Sequence, residues 1–119
     1  MLESGEMYLE SIYVLRKSKE NIRAIDIVEY MNYSKPSVSR AISKLKSEGF
    51  LSVSPEGYIE LTQSGRSIAF KIYERHQVLS DMLIKLGVSK ETAVADACKM
   101  EHDISDETFE AIKKHTRRI

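Results

Sequence analysis

The sequence predicts a mainly α-helical chain: three helices and a β-hairpin, then three further helices. Three observations carry this prediction. Apolar residues recur at helical spacing in successive stretches, two short β-prone runs flank Pro55-Glu56-Gly57, and residues suited to helix ends stand at the borders. No parallel-strand pattern and no glycine-rich phosphate loop occurs, which argues against a nucleotide-binding α/β fold.

The elements follow in order. Tyr8, Leu9, Ile12, Tyr13 and Leu15 give a first helix from about Ser4 to Lys17. A polar connection, Lys17 to Asn21, precedes a short second helix starting near Ala24, with Ile25, Ile27, Val28 and Met31 as its apolar residues. Asn32-Tyr33-Ser34 is a turn. Ser34 suits an N-cap, and Pro36 suits the first helical turn, where its missing N–H is no loss. Val38, Ala41, Ile42 and Leu45 form the inward face of the third helix, which Gly49 ends. Leu51 to Val53 and Tyr58 to Leu61 read as a hairpin. Thr62 then caps a long helix running to about Leu86 and stopped by Gly87. Ser89 caps a further helix to about His102. Ser105 caps the last, which has Phe109 and Ile112 on its apolar face and Arg117-Arg118 at its negative pole.

With 119 residues, 42% of them hydrophobic, the chain fits one compact domain or a small domain with a helical extension. The one cysteine, Cys98, has no partner within its chain for a disulfide, so a reducing, cytoplasmic setting is expected. The N-terminal segment lacks a basic region followed by an apolar run, so no signal peptide is expected. The apolar stretches are too short to span a bilayer, and no membrane partner is expected.

Net charge is zero, but its distribution is uneven. Lys35, Arg40, Lys44 and Lys46 fall in one stretch without acids, whereas Glu91 to Glu110 is strongly acidic. This pattern suits two tasks, binding phosphate and binding cations. The second and third helices with their short turn form a helix-turn-helix, and the hairpin is its wing. Lys35, Pro36, Ser37, Ser39, Arg40 and Lys44 are left for the outer face. There the small hydroxyls can approach base edges closely, Arg40 can reach guanine, and Lys44 suits a phosphate. The wing tip carries Glu56 and no basic residue, so a strong phosphate contact there is not expected.

Cys98, Glu101 and His102 stand at i, i+3 and i+4, a spacing that puts them on one helical face. A thiolate, a carboxylate and an imidazole together make a transition-metal ligand set. His76 lies on the preceding long helix, and Met7 and Glu10, again three apart, lie on the first. Taken singly, each has a plainer role: Cys98 and Met7 as packing residues, the histidines as hydrogen-bonded groups, Glu10 as a solvated charge.

Five segments resemble the diphtheria toxin repressor family, which includes iron-dependent repressors and manganese transport regulators. They are Glu6-Met7-Tyr8-Leu9-Glu10-Ser11-Ile12-Tyr13, Lys35-Pro36-Ser37-Val38-Ser39, Leu61-Thr62-Gln63-Ser64-Gly65, Arg75-His76, and Cys98-Lys99-Met100-Glu101-His102-Asp103-Ile104-Ser105. The resemblance implies a winged-helix DNA-binding domain over residues 1–66 and a helical metal-binding and dimerisation domain over 67–119. It further implies a homodimer that binds a palindromic operator in double-stranded DNA when loaded with metal. Met7, Cys98, Glu101 and His102 match the regulatory site of the iron-dependent branch, and Glu10 and His76 match positions of the paired-metal site in the manganese branch. Ser80 and Val94 stand where the iron branch's second site has a glutamate and a histidine. The sequence stops at Ile119, so a third, SH3-like domain is not expected.

Thioether and thiolate donors favour Fe²⁺ over the harder Mn²⁺, with Zn²⁺, Co²⁺ and Ni²⁺ as binders in vitro. Two other readings predict different things. A winged-helix repressor of an organic ligand needs an apolar pocket and no metal. A small metalloenzyme needs an open coordination position, and no nucleophile or general base stands beside an obvious substrate pocket, so enzymatic activity is not expected.

Overall fold

A computed structural model describes residues 3–116. The element order is α1 (Glu3–Arg16), α2 (Ala24–Met31), α3 (Lys35–Ser47), β1 (Leu51–Val53), β2 (Ile59–Leu61), α4 (Gln63–Lys85), α5 (Lys90–Met100) and α6 (Asp106–Thr116). This is the predicted sequence of helices and hairpin. The Arg117-Arg118 helix end lies outside the described residues. Two compact units are present, Met1–Phe70 and Lys71–Ile119.

In the first unit, Leu9 and Ile12 of α1, Ile27 of α2, and Val38, Ile42 and Leu45 of α3 close on Leu51 and Ile59 of the hairpin, all buried. The strands pair antiparallel with Leu51 opposite Leu61 and Val53 opposite Ile59. One pairing was not read from the sequence. Ile22, just before α2, bridges Ile59, whose N–H donates to the Ile22 carbonyl at 2.7 Å. The wing is thus tied to the root of the helix-turn-helix. A stacked pair reinforces this tie, with the Arg23 guanidinium 4.8 Å from the centre of the Tyr58 ring.

Local chemistry sets the helix ends. Ser34 Oγ accepts the Ser37 N–H, and Pro36 occupies the first turn of α3. Asn32 ends α2 in the left-handed region at φ 57°, which places the turn so that α3 can start at Lys35. Gly65 in α4 lies against the Phe50 carbonyl; a Cβ there would stand 2.0 Å from that oxygen.

In the second unit, Ile72 and Leu79 of α4, Ala93 and Ala97 of α5, and Phe109 of α6 are buried. Ser89 Oγ and Ser105 Oγ accept the N–H groups of Thr92 and Thr108, capping α5 and α6 as predicted. Polar ties also join α4 to α6. Lys71 and Arg75 both reach Asp106, and Lys113 reaches Glu74 at 3.0 Å. Among the described residues, no helix is long and apolar enough to cross a membrane.

Candidate metal centre and nucleic-acid interface

On α3 the inward positions are Val38, Ile42 and Leu45, all buried. Lys35, Pro36, Ser39, Arg40 and Lys44 are consequently exposed, and Ser37 is half-buried near the helix start. The Arg40 guanidinium lies 3.4 Å from Ser37 Oγ, so the longest side chain of the outer face leans towards the N-terminal turn. The result is a basic strip with small hydroxyls at its leading end, a surface suited to phosphates and base edges.

The second unit holds a different arrangement. α5 ends at Met100, earlier than the sequence suggested, and Glu101 is its C-cap. The buried positions at this end are Ala93, Ala97 and Glu101, four residues apart, with alanines small enough to let neighbouring chain approach closely. Glu101 is fully buried. Its Oε2 lies 2.8 Å from His76 Nδ1 on α4, and its Oε1 lies 3.4 Å from His102 Nε2. The His102 side chain is itself 1% exposed.

A carboxylate here is enclosed between two imidazoles. Glu101 Oε1 is buried with no hydrogen-bond partner among the described residues. Such an oxygen is expensive to enclose: an unsatisfied buried polar group costs about 1–3 kcal/mol, and a charged one more. Nitrogen and oxygen donors around an unsatisfied carboxylate fit a divalent cation.

Of the other expected ligands, Met7 and Glu10 are half-buried on α1 in the first unit. Cys98 lies on α5 as an exposed residue. By spacing alone, Cys98, Glu101 and His102 share one helical face. The structure gives Glu101 a buried position and Cys98 an exposed one, because the packed stripe runs through Ala97 rather than its neighbour. Ser80 is buried and Val94 is exposed.

The sequence alone gives Arg75, of the Arg75-His76 segment, no task of its own. It is 4% exposed and donates to the carbonyls of Glu101 at 3.1 Å and Ile104 at 2.7 Å, and to Asp106 Oδ1 at 2.6 Å. One sequence signal was available. Ile68, Ile72, Arg75 and Leu79 follow one helical stripe, and an arginine on an apolar stripe needs buried acceptors.

The fold defines a winged-helix regulator with a helical second unit. Residues 1–59 match the model of the iron dependent repressor N-terminal DNA binding domain, and residues 62–119 match that of the iron dependent repressor metal binding and dimerisation domain. The chain belongs to this family of repressors, which are not enzymes. The transcriptional regulator MntR of Salmonella typhimurium is 35% identical over 111 residues, covering 93% of this chain and 71% of the relative. An uncharacterized HTH-type transcriptional regulator of Methanocaldococcus jannaschii is 33% identical over 115 residues, covering 95% and 92%. The structure of the manganese regulator SloR superposes with a TM-score of 0.84 at 29% identity, covering 95% of this chain and 53% of that one. The chain therefore spans about half the length of this solved relative.

Proposed function

We propose that this chain is a cytoplasmic transcriptional repressor that binds a palindromic operator in double-stranded DNA as a homodimer when it holds a divalent transition metal. Fe²⁺ is the favoured metal and Mn²⁺ the next. The observation that carries this reading is the buried Glu101 carboxylate, set between His76 and His102 with one oxygen unsatisfied. In this reading His76, Glu101 and His102 hold the cation, and Met7, Glu10 and Cys98 complete its ligand set.

A bound cation supplies the positive charge that the enclosed carboxylate lacks. The chain's own residues do the rest. His76 orients one oxygen of Glu101 by its hydrogen bond, His102 faces the other, and burial keeps water from competing. Met7 and Glu10 belong to α1, whose Leu9 and Ile12 pack into the same core as Val38 and Ile42 of α3. A ligand held by α1 is therefore held by the body that carries the reading helix. Exposed Ile84, Leu86 and Val94 give the second unit an apolar surface for a second copy. Residues 1–66 would serve as the DNA-binding domain and 67–119 as the metal-binding and dimerisation domain.

Coupling between two such sites is typically worth about 1–3 kcal/mol, and it is reciprocal, so operator DNA tightens the metal as the metal tightens DNA. The test is selection from a random duplex library with the full chain and Fe²⁺ under anaerobic conditions, followed by rebinding in chelator. Inverted-repeat sequences should be enriched and should be released on chelation. Equal retention with and without chelator would remove the metal from the mechanism.

A further inference from the structure

We propose that Arg75 is a positioning residue for the metal centre, holding the Glu101–Ser105 turn so that Glu101 and His102 are set before a cation arrives. The inference rests on the metal-binding reading above and adds a residue to it. Between the end of α5 at Met100 and the cap of α6 at Ser105, the chain forms no helix or strand. Among the described residues its backbone bonds are Glu101 N–H to Ala97, and Asp103 and Ile104 N–H to Met100, the last at 3.4 Å. Carbonyls at a helix end have no partner within the helix. Arg75 donates to one of them, Glu101, and to the Ile104 carbonyl in the turn beyond, from a single nitrogen. Its other terminal nitrogen reaches Asp106 at the start of α6, and its plane lies 5.4 Å from the Phe109 ring.

One rigid fork therefore fixes both ends of the turn that carries the ligands. Residue 101 is gripped twice by consecutive residues of α4: Arg75 holds its main chain and His76 its side chain. Arg75 is not the most economical filling for this place. Its Nε is buried with no hydrogen-bond partner among the described residues. An apolar side chain would suit a stripe shared with Ile72 and Leu79. What arginine alone brings is a planar set of donors at fixed angles, which a lysine ammonium does not reproduce.

Charge and position predict opposite signs. A guanidinium near a cation site repels the cation, so removing it would tighten binding if charge were its only effect. If position dominates, removal weakens binding. Loss of an outer hydrogen-bond partner of a ligand lowers metal affinity by about tenfold to a hundredfold.

The experiment uses the full chain as wild type and as Arg75→Lys, Arg75→Gln and Asp106→Asn. Mn²⁺ binding is followed by the electron paramagnetic resonance of the free ion, and ligand geometry by the visible spectrum of bound Co²⁺. Hydrogen exchange of residues 101–105 is measured in chelator, and circular dichroism reports helix content. Both Arg75 variants should keep their helices, exchange faster at 101–105, bind Mn²⁺ about tenfold or more weakly, and shift the Co²⁺ spectrum. Asp106→Asn, which loosens one arm of the fork, should weaken binding by a smaller factor. Mn²⁺ affinity equal to or tighter than wild type in either Arg75 variant overturns the inference. If both Arg75 variants unfold, Asp106→Asn decides: faster exchange with unchanged affinity overturns it, and faster exchange with weaker affinity supports it. A wild-type chain that takes up neither ion defeats the metal-binding reading and this inference together. Wild-type binding with unchanged variants defeats this inference alone.

Discussion

Glu101→Gln should move stability in opposite directions depending on whether metal is present. The carboxylate is fully buried, with His76 Nδ1 at 2.8 Å from Oε2 and His102 Nε2 at 3.4 Å from Oε1. The nearest guanidinium, Arg75, is committed to the main-chain carbonyl of the same residue. A glutamine has the same shape. Its carbonyl can accept from a protonated His76 Nδ1, and its amide can donate to an unprotonated His102 Nε2. Satisfying a buried polar atom recovers about 1–3 kcal/mol. For a chain of this size each kcal/mol moves the melting midpoint by roughly 3–6 °C, so the chelated variant should melt at least that much above wild type. Metal should reverse the order. At a hundredfold excess over its dissociation constant, a cation stabilises the native state by about 2.7 kcal/mol, which lifts wild type by on the order of 10 °C. The variant, lacking the ligand, should gain little. Thermal melts by circular dichroism at 222 nm in chelator and in Mn²⁺ measure all four midpoints. A chelated variant that melts below wild type would show that the histidines already satisfy the carboxylate, and the reasoning from an unmatched oxygen would fail.

Four further outcomes are expected. Gly65→Ala places a Cβ 2.0 Å from the Phe50 carbonyl oxygen, so backbone must move; overpacking of about 1–3 kcal/mol outweighs the gain of about 1 kcal/mol in helix propensity, and a fall in denaturation midpoint checks it. Lys44→Ala should weaken binding to all duplexes alike and flatten the dependence of log affinity on log salt by about one unit per lost phosphate contact, whereas Arg40→Ala should cost about 1–3 kcal/mol on the preferred sequence alone. The Lys19 ammonium, and then the Arg23 N–H, hold the Asp26 carboxyl below the usual carboxylate range, so this contact stabilises the first unit above the ordinary carboxylate pKa. That contribution is lost as pH falls through the lowered value, and Asp26→Asn should melt lower than wild type at neutral pH but converge with it in acid. Replacing Met7 by Asp and Cys98 by Glu should raise the Mn²⁺ response relative to Fe²⁺ in anaerobic DNA-binding titrations; an unchanged ranking would remove the argument from donor softness.

The third helix was readable because its signals are local. Ser34, Pro36 and Gly49 act on their own backbone, and the structure returns α3 as Lys35–Ser47. What was not readable depends on distant chain. The bridge between Ile22 and Ile59 has no local signature, since Ile22 is a single apolar residue between the polar connection and α2. The early end of α5 is a second case. Nothing in Cys98-Lys99-Met100-Glu101-His102 stops a helix, and the turn that follows is held by Arg75, more than twenty residues upstream. The ligand triplet was legible as spacing but not as burial. Periodicity marks which residues share a face; it does not tell that Glu101 is enclosed, with His76 of α4 against its carboxylate, while Cys98 is exposed.

The two units differ in how their polar groups are treated, and the difference bears on function. In the first unit, apolar side chains close a continuous core from Tyr8 to Ala69, and the caps of α3 and α4 satisfy their own backbone through Ser34 and Thr62. The second unit encloses Arg75 Nε, Ser80 Oγ and Glu101 Oε1 without hydrogen-bond partners among the described residues. Local violations of this kind are tolerated where something other than folding needs the groups. Arg75 Nε and Glu101 Oε1 belong to one pair, Glu101 and the arginine that holds its main chain. Stabilising substitutions at Glu101 should therefore be easy to find and should act against metal response, whereas stabilising changes in the first unit should leave it intact.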